Sequence, residues 1–272
     1  MRRLGLSGQP VCLHASLRSF GWVEGGADAV IESFLVENCT VMVPSFSASY
    51  RTPGFSVPPP QHLRPKRNGI DYQDLGASVA GSGRVYTLAT DEIEPGLGAI
   101  PAAVVHRAGR VRGAHALNSF TAIGPLAHRL IDGQRCGHVY APLEQLGELG
   151  GSIVLIGVGL TSLTLLHLAE SMAGRRRFVR WANATDGQPA AWDVGGCSDG
   201  FDRFGPVLAP LAQEVLVGPS RWRAFPSRQT VLVAAAAIRA DPELTRCSDP
   251  DCLRCQDAVA GGPHDDQLSG SV

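Results

Sequence analysis

The chain has 272 residues, 44% hydrophobic and 18% charged, a composition that excludes wholesale disorder and supplies apolar material for a sizeable core. Its 24 Lys and Arg residues balance 25 Asp and Glu residues, so the net charge of -1 gives no electrostatic reason to expect nucleic acid or an anionic membrane as partner. No apolar stretch approaches the ~20 residues that span a bilayer. The opening MRRLGLSGQP lacks the apolar segment of a signal peptide, so a cytoplasmic location is expected.

Residues 11–14 (VCLH) form a short apolar run and read as a buried strand. In residues 25–35, Ala29, Val30, Ile31, Phe34 and Leu35 recur at helical spacing. Residues 40–46 (TVMVPSF) and 152–158 (SIVLIGV) are apolar almost throughout, as strands are in a sheet covered on both faces. Residues 161–172 (TSLTLLHLAESM) predict a helix with Thr161 or Ser162 as N-cap. Residues 230–238 (TVLVAAAAI) fit a buried strand or a helix equally. Strands alternating with helices point to a layered α/β domain over 1–260. Residues 50–98 interrupt it with Pro58, Pro59 and Pro60, a basic cluster and many Gly and Ser residues. They form a long excursion, either a substrate lid or a flexible insertion. Residues 261–272 read as a disordered tail.

Three segments carry candidate chemistry. The first strand ends in His14, Ala15 and Ser16, and Gly25-Gly26 opens the following helix. A helix N-terminus with free N–H groups suits an anion, although a glycine pair there is also an ordinary tight turn. Arg112-Gly113-Ala114-His115 precedes Asn118-Ser119-Phe120, and a lone histidine such as His115 is more often a hydrogen-bonded structural side chain than a catalyst. His167 and Glu170 stand three apart on the helix at 161–172 and share a face. A carboxylate beside an imidazole orients it and stabilises the protonated ring, as general-base chemistry requires.

The seven cysteines are an odd number for a secreted disulfide framework. Cys247, Cys252 and Cys255 follow a C-x4-C-x2-C pattern whose second half has the spacing of a zinc knuckle. Cys197 is the candidate fourth ligand, with His264 behind it; a redox pair or chance clustering remains open.

Together these segments resemble the aminoglycoside 3-N-acetyltransferase family, also called the antibiotic N-acetyltransferases. The matching stretches are Leu13-His14-Ala15-Ser16, Gly25-Gly26, Val41-Met42-Val43-Pro44, Arg112-Gly113-Ala114-His115-Ala116-Leu117-Asn118-Ser119 and Ala141-Pro142-Leu143. Leu155-Ile156-Gly157-Val158-Gly159 and Thr164-Leu165-Leu166-His167-Leu168-Ala169-Glu170 complete the series. The resemblance implies a three-layer α/β/α fold distinct from the GNAT fold, and direct transfer of acetyl from acetyl-CoA to the 3-amino group of an aminoglycoside, an antibiotic-resistance chemistry. It implies His167 as the base, aided by Glu170 and His14. It also implies a cofactor-binding set of His14, Ala15, Ser16, Gly25, Gly26, His115, Ser119 and Phe120. Asp71, Glu170, Asp199 and Asp202 would meet the cationic acceptor. The cysteines look like those of the apramycin-modifying branch, which implies structural zinc on Cys197, Cys247, Cys252 and Cys255. A homodimer is compatible with this reading.

The sequence departs from the family pattern in having Ala15 for a serine, Gly113 for a serine and Ala116 for a proline. Arg175-Arg176-Arg177 also follows the helix that carries His167, an awkward neighbour for a polycationic acceptor. Transfer to a non-aminoglycoside amine, such as a biosynthetic intermediate, is therefore an alternative. A zinc-stabilised binding protein without catalysis is another.

Overall fold

Parallel pairing of three apolar strands sets the architecture in the computed structural model, which describes residues 1–50, 84–187 and 189–262. In chain order the first elements are β1 (Pro10–Ala15), α1 (Gly26–Leu35), β2 (Thr40–Pro44), α2 (Ala99–His106), β3 (Val111–Arg112), β4 (Phe120–Ile123), α3 (Ala127–Ile131) and α4 (Ala141–Glu148). Then come β5 (Ser152–Ile156), α5 (Leu165–Met172), β6 (Phe178–Asn183), β7 (Pro189–Val194), α6 (Gly205–Leu208), β8 (Gln213–Val217), β9 (Ser220–Pro226), α7 (Ser227–Ala240) and α8 (Leu253–Val259).

Seven strands form one sheet in the order β3-β4-β2-β1-β5-β9-β8, with β1 parallel to both neighbours and the outer pairs antiparallel. Alternation along each strand divides the core into two layers. Cys12, Met42, Ile153, Leu155 and Phe225 point into a cluster with α3, α4, α5 and α7. Val11, Leu13, Val41, Val43, Val154, Ile156 and Trp222 face α1 and α2 on the other side. Helices on both faces explain why β1, β2 and β5 are apolar throughout. The β6–β7 hairpin lies outside this sheet and packs Phe178, Ala182, Trp192 and Val194 against Tyr50, Tyr86, Leu117 and Ala258. Among the described residues no helix is long and apolar enough to cross a membrane.

Three details differ from the sequence reading. The strand at 152 stops at Ile156, because Gly157 turns the chain at φ +63°. The helix expected from Thr161 begins at Leu165. Leu160–Ser162 forms a 3-10 turn, tethered where Asp202 Oδ1 accepts from Leu160 N at 2.9 Å. The ambiguous 230–238 stretch is the middle of α7, whose buried stripe of Thr230, Val231, Ala234, Ala235 and Ile238 has the helical period. Of the excursion, residues 51–83 lie outside the described residues, as do 263–272 of the tail.

Candidate active site

The C-terminal ends of β1, β2 and β5 border a cavity of about 330 Å³ whose lining includes His14, Pro44, Asn118, Thr164, His167 and Phe201. This edge collects ligands in open α/β sheets, where connections leave toward opposite faces. Here α1 covers one face and α5 the other.

Leu165, Leu166, Leu168 and Ala169 anchor α5 in the core, which leaves His167 on the cavity wall. Its Nδ1 lies 2.8 Å from Glu170 Oε2, the geometry that i, i+3 spacing allows. The other oxygen of Glu170 accepts from Arg175 Nη1 at 2.8 Å. Arg175 in turn donates to Thr245 Oγ1 at 2.7 Å and to the Pro242 carbonyl at 2.6 Å. Both carboxylate oxygens are thus engaged, and a carboxylate only accepts, so Nδ1 is assigned as the donor of this pair. Nε2 has no protein partner among the described residues. Phe201 packs 4.8 Å from the His167 ring centre, and Tyr140 stacks on it at 6.3 Å. A Cβ at residue 195 would sit 2.6 Å from His167 Cδ2 and 2.7 Å from the Tyr140 hydroxyl, so Gly195 is the residue that lets both rings close up. The Tyr140 hydroxyl is buried without a hydrogen-bond partner among the described residues, and burial, then the neighbouring Glu170 and Asp193, holds its pKa above the ordinary phenol value.

His14 enters from the end of β1, buried, and burial pushes its pKa down to about 4. It therefore stays neutral near pH 7. Ala15 and Ser16 line an adjoining groove of about 1260 Å³, which runs past Arg18, Gly21 and His106 and is also lined by Asp91, Glu92 and Glu94.

The remaining expected site residues sit elsewhere. Gly25 and Gly26, at φ +77° and +58°, turn the chain into α1 and line neither the cavity nor the groove. His115 is fully buried, with Nδ1 accepting from Asn118 N at 2.9 Å and Leu117 N at 3.3 Å. Its Nε2 lies 3.4 Å from Asp193 Oδ1, too poorly aligned for a full hydrogen bond. Burial raises the pKa of Asp193, but His115, Arg177 and the Val139 N–H together outweigh it and hold the carboxyl below its ordinary value. Ser119 Oγ donates to the Ser45 carbonyl at 2.8 Å and accepts from Arg112 Nε at 3.1 Å, sealed from the cavity, and Phe120 is a core residue. Arg112 also donates to the carbonyls of Ser45, Thr90 and Glu92, which pins the 90–94 segment. Where the family has a serine, the Gln134 side chain occupies the space beside Gly113 and bonds Phe120 N, Asn118 O and Val139 O. Asp202 is engaged with Leu160, as above. Asp199 is exposed, 3.5 Å from Cys197 Sγ. Asp71 and His264 lie outside the described residues.

The arginine run does not repel the site as the sequence suggested. Arg175 serves Glu170, and Arg177 Nε meets Asp193 Oδ2 at 2.8 Å. Asn118, Thr164, Phe201 and Gly195 escaped sequence reasoning as cavity residues. Asn118 and Thr164 lay inside quoted motifs, whereas nothing local marked Phe201 or Gly195.

The Sγ atoms of Cys197, Cys247, Cys252 and Cys255 all lie within 4.8 Å of one another, and every cysteine of the chain is free of disulfides. A tetrahedral zinc with Zn–S near 2.3 Å sets sulfurs about 3.8 Å apart, so the set is compatible with such an ion. Cys247 N donates to Cys255 Sγ at 3.4 Å. Cys197 follows directly on Gly195 and Gly196 of the cavity wall, so the cluster ties that wall to α8.

The family description "Aminoglycoside 3-N-acetyltransferase" matches residues 12–239. Aminoglycoside N(3)-acetyltransferase III of Salmonella sp is 30% identical over 223 residues, 74% of this chain and 71% of that protein. Among solved structures, aminoglycoside acetyltransferase AAC(3)-IVa in complex with gentamicin is 24% identical with TM-score 0.73, covering 96% of this chain and 93% of that one. Its complex with apramycin gives TM-score 0.67 at 24% identity, over 89% and 90% of the two chains. The three-layer fold is thus that of these acetyltransferases, and the chain belongs to the aminoglycoside 3-N-acetyltransferase family.

Proposed function

We propose that the chain moves the acetyl group of acetyl-CoA to the 3-amino group of an aminoglycoside, with His167 as general base. The observation that carries this reading is His167 itself: Nδ1 is held by Glu170, and Nε2, on the cavity wall, has no protein partner among the described residues. Acetyl-CoA supplies an activated thioester. Nε2 takes a proton from the attacking amine as the N–C bond forms, and returns it to the departing thiolate as the C–S bond breaks. Glu170, fixed by Arg175, holds the ring and stabilises the imidazolium formed on the way. His14 and Asn118 are hydrogen-bonding groups on the same cavity that add no charge to it at neutral pH.

The groove past Ala15, Ser16 and Arg18 suits the long arm of acetyl-CoA, and Asp91, Glu92 and Glu94 suit the ammonium groups of the acceptor. The gentamicin and apramycin complexes of the related enzyme support an acceptor of that class. Cys197, Cys247, Cys252 and Cys255 would hold one structural zinc, with no part in proton transfer.

Thiol release from acetyl-CoA in the presence of gentamicin or apramycin tests the assignment. Release that depends on either drug is expected, and silence with both contradicts the aminoglycoside reading. For the metal, elemental analysis of protein purified without chelator should give about one zinc per chain. Cys252→Ser should lose both the ion and thermal stability, and metal-free wild-type protein would refute the site.

A further inference from the structure

Beside the catalytic cavity lies a second lobe of about 250 Å³, which shares Asn118, Gly195 and Gly196 with it. Two guanidinium groups from separate elements line this lobe: Arg180 on β6, 5% exposed, and Arg254 on α8, half-buried. Arg254 has no hydrogen-bond or ion-pair partner among the described residues, unlike other arginines near the site. Arg175 meets Glu170, Arg177 meets Asp193 and Arg246 meets Glu243. The carboxylate in the lining, Glu94, accepts from Ala48 N at 3.2 Å. Arg254 stands between Cys252 and Cys255, so the cysteine cluster fixes the short helix that presents it.

A guanidinium withdrawn part-way from water with no counter-ion is costly, and its planar fork matches a carboxylate or phosphate. Arg180 already donates to the Val179 carbonyl at 2.9 Å, so Arg254 is the guanidinium left to attract an anion, and an ammonium-only portion of a polycationic acceptor gains nothing beside it. We propose that this lobe is an anion subsite, which receives a carboxylate or phosphate carried by the acceptor away from its reacting amine. The inference rests on the reading of His167 as the base, which fixes where the amine lies. It makes the preferred acceptor an amine that also bears an anionic group.

Kanamycin and its 3′-O-phosphate, offered to the metal-loaded full chain with acetyl-CoA, test this. The phosphorylated acceptor should show the higher kcat/KM by about ten- to a hundredfold, the range of charged hydrogen bonds. Arg254→Gln should reduce that preference to within about threefold. Equal use of the two acceptors, or a preference untouched by Arg254→Gln, would overturn the proposal. So would a raised KM for acetyl-CoA in the variant, which would assign the arginine to the phosphates of coenzyme A. If neither acceptor reacts, the acetyl-transfer reading fails first and the subsite is judged by binding. Inorganic phosphate should then raise the melting temperature of wild type more than that of Arg254→Gln, and an equal response contradicts the subsite.

Discussion

A buried histidine, His115, and a half-buried one, His167, each have a carboxylate near one ring nitrogen and an aromatic ring alongside, yet only His167 opens on a cavity. His115 turns Nδ1 to two backbone N–H groups and Nε2 toward Asp193, beside Trp192. It is enclosed where three chain segments meet, since Asp193 also accepts from Gly137 N and Val139 N and pairs with Arg177. His167 spends one nitrogen on Glu170 and keeps the other for the cavity. Proximity to a carboxylate therefore does not distinguish a base from a strut. An uncommitted nitrogen with room in front of it is what makes His167 the candidate base.

The largest expected effect on stability belongs to the strut. His115→Ala strands the N–H groups of Leu117 and Asn118 and unbalances Asp193 in the core, at a cost of about 3–5 kcal/mol by denaturant unfolding. A loss below about 1 kcal/mol would break the comparison.

Acid should sharpen it through His14. Its folded-state value of about 4 lies below the ordinary 6.5, so the unfolded chain binds the proton first as pH falls. Stability contributed by the neutral ring is complete above pH 6.5 and is lost between pH 6.5 and 4, on the order of 3 kcal/mol. His14→Asn should flatten this part of the stability profile relative to wild type, and identical acid limbs for the two proteins would contradict it.

A smaller effect is expected at Gly195, where an added methyl meets His167 and Tyr140 together. Gly195→Ala should cost about 1–3 kcal/mol and lower kcat through a displaced base, seen by thermal melting and steady-state kinetics. Full activity would mean that the ring position matters less than its free nitrogen.

The comparison also marks what the sequence could disclose. Strands β1, β2 and β5 were legible because burial on both faces makes them apolar without alternation, and α5 because its leucines bracket His167 at helical spacing. The Cys197–Cys255 assembly followed from the knuckle spacing plus one distant cysteine. The partner of His115 was not legible: only three-dimensional packing shows that Asp193, far along the chain, closes over it. Arg175 misled for the same reason, since a run of three arginines looks like a solvated cationic patch until Glu170 and Thr245 close around the first of them.

The most direct test of the account is acceptor-dependent thiol release by His167→Ala beside wild type, with the melting temperature of each recorded. The account predicts a rate lower by about a hundred- to ten-thousandfold, the usual worth of a positioned base, in a protein that melts close to wild type. A folded variant that turns over at nearly the wild-type rate would contradict it and move the base elsewhere in the cavity.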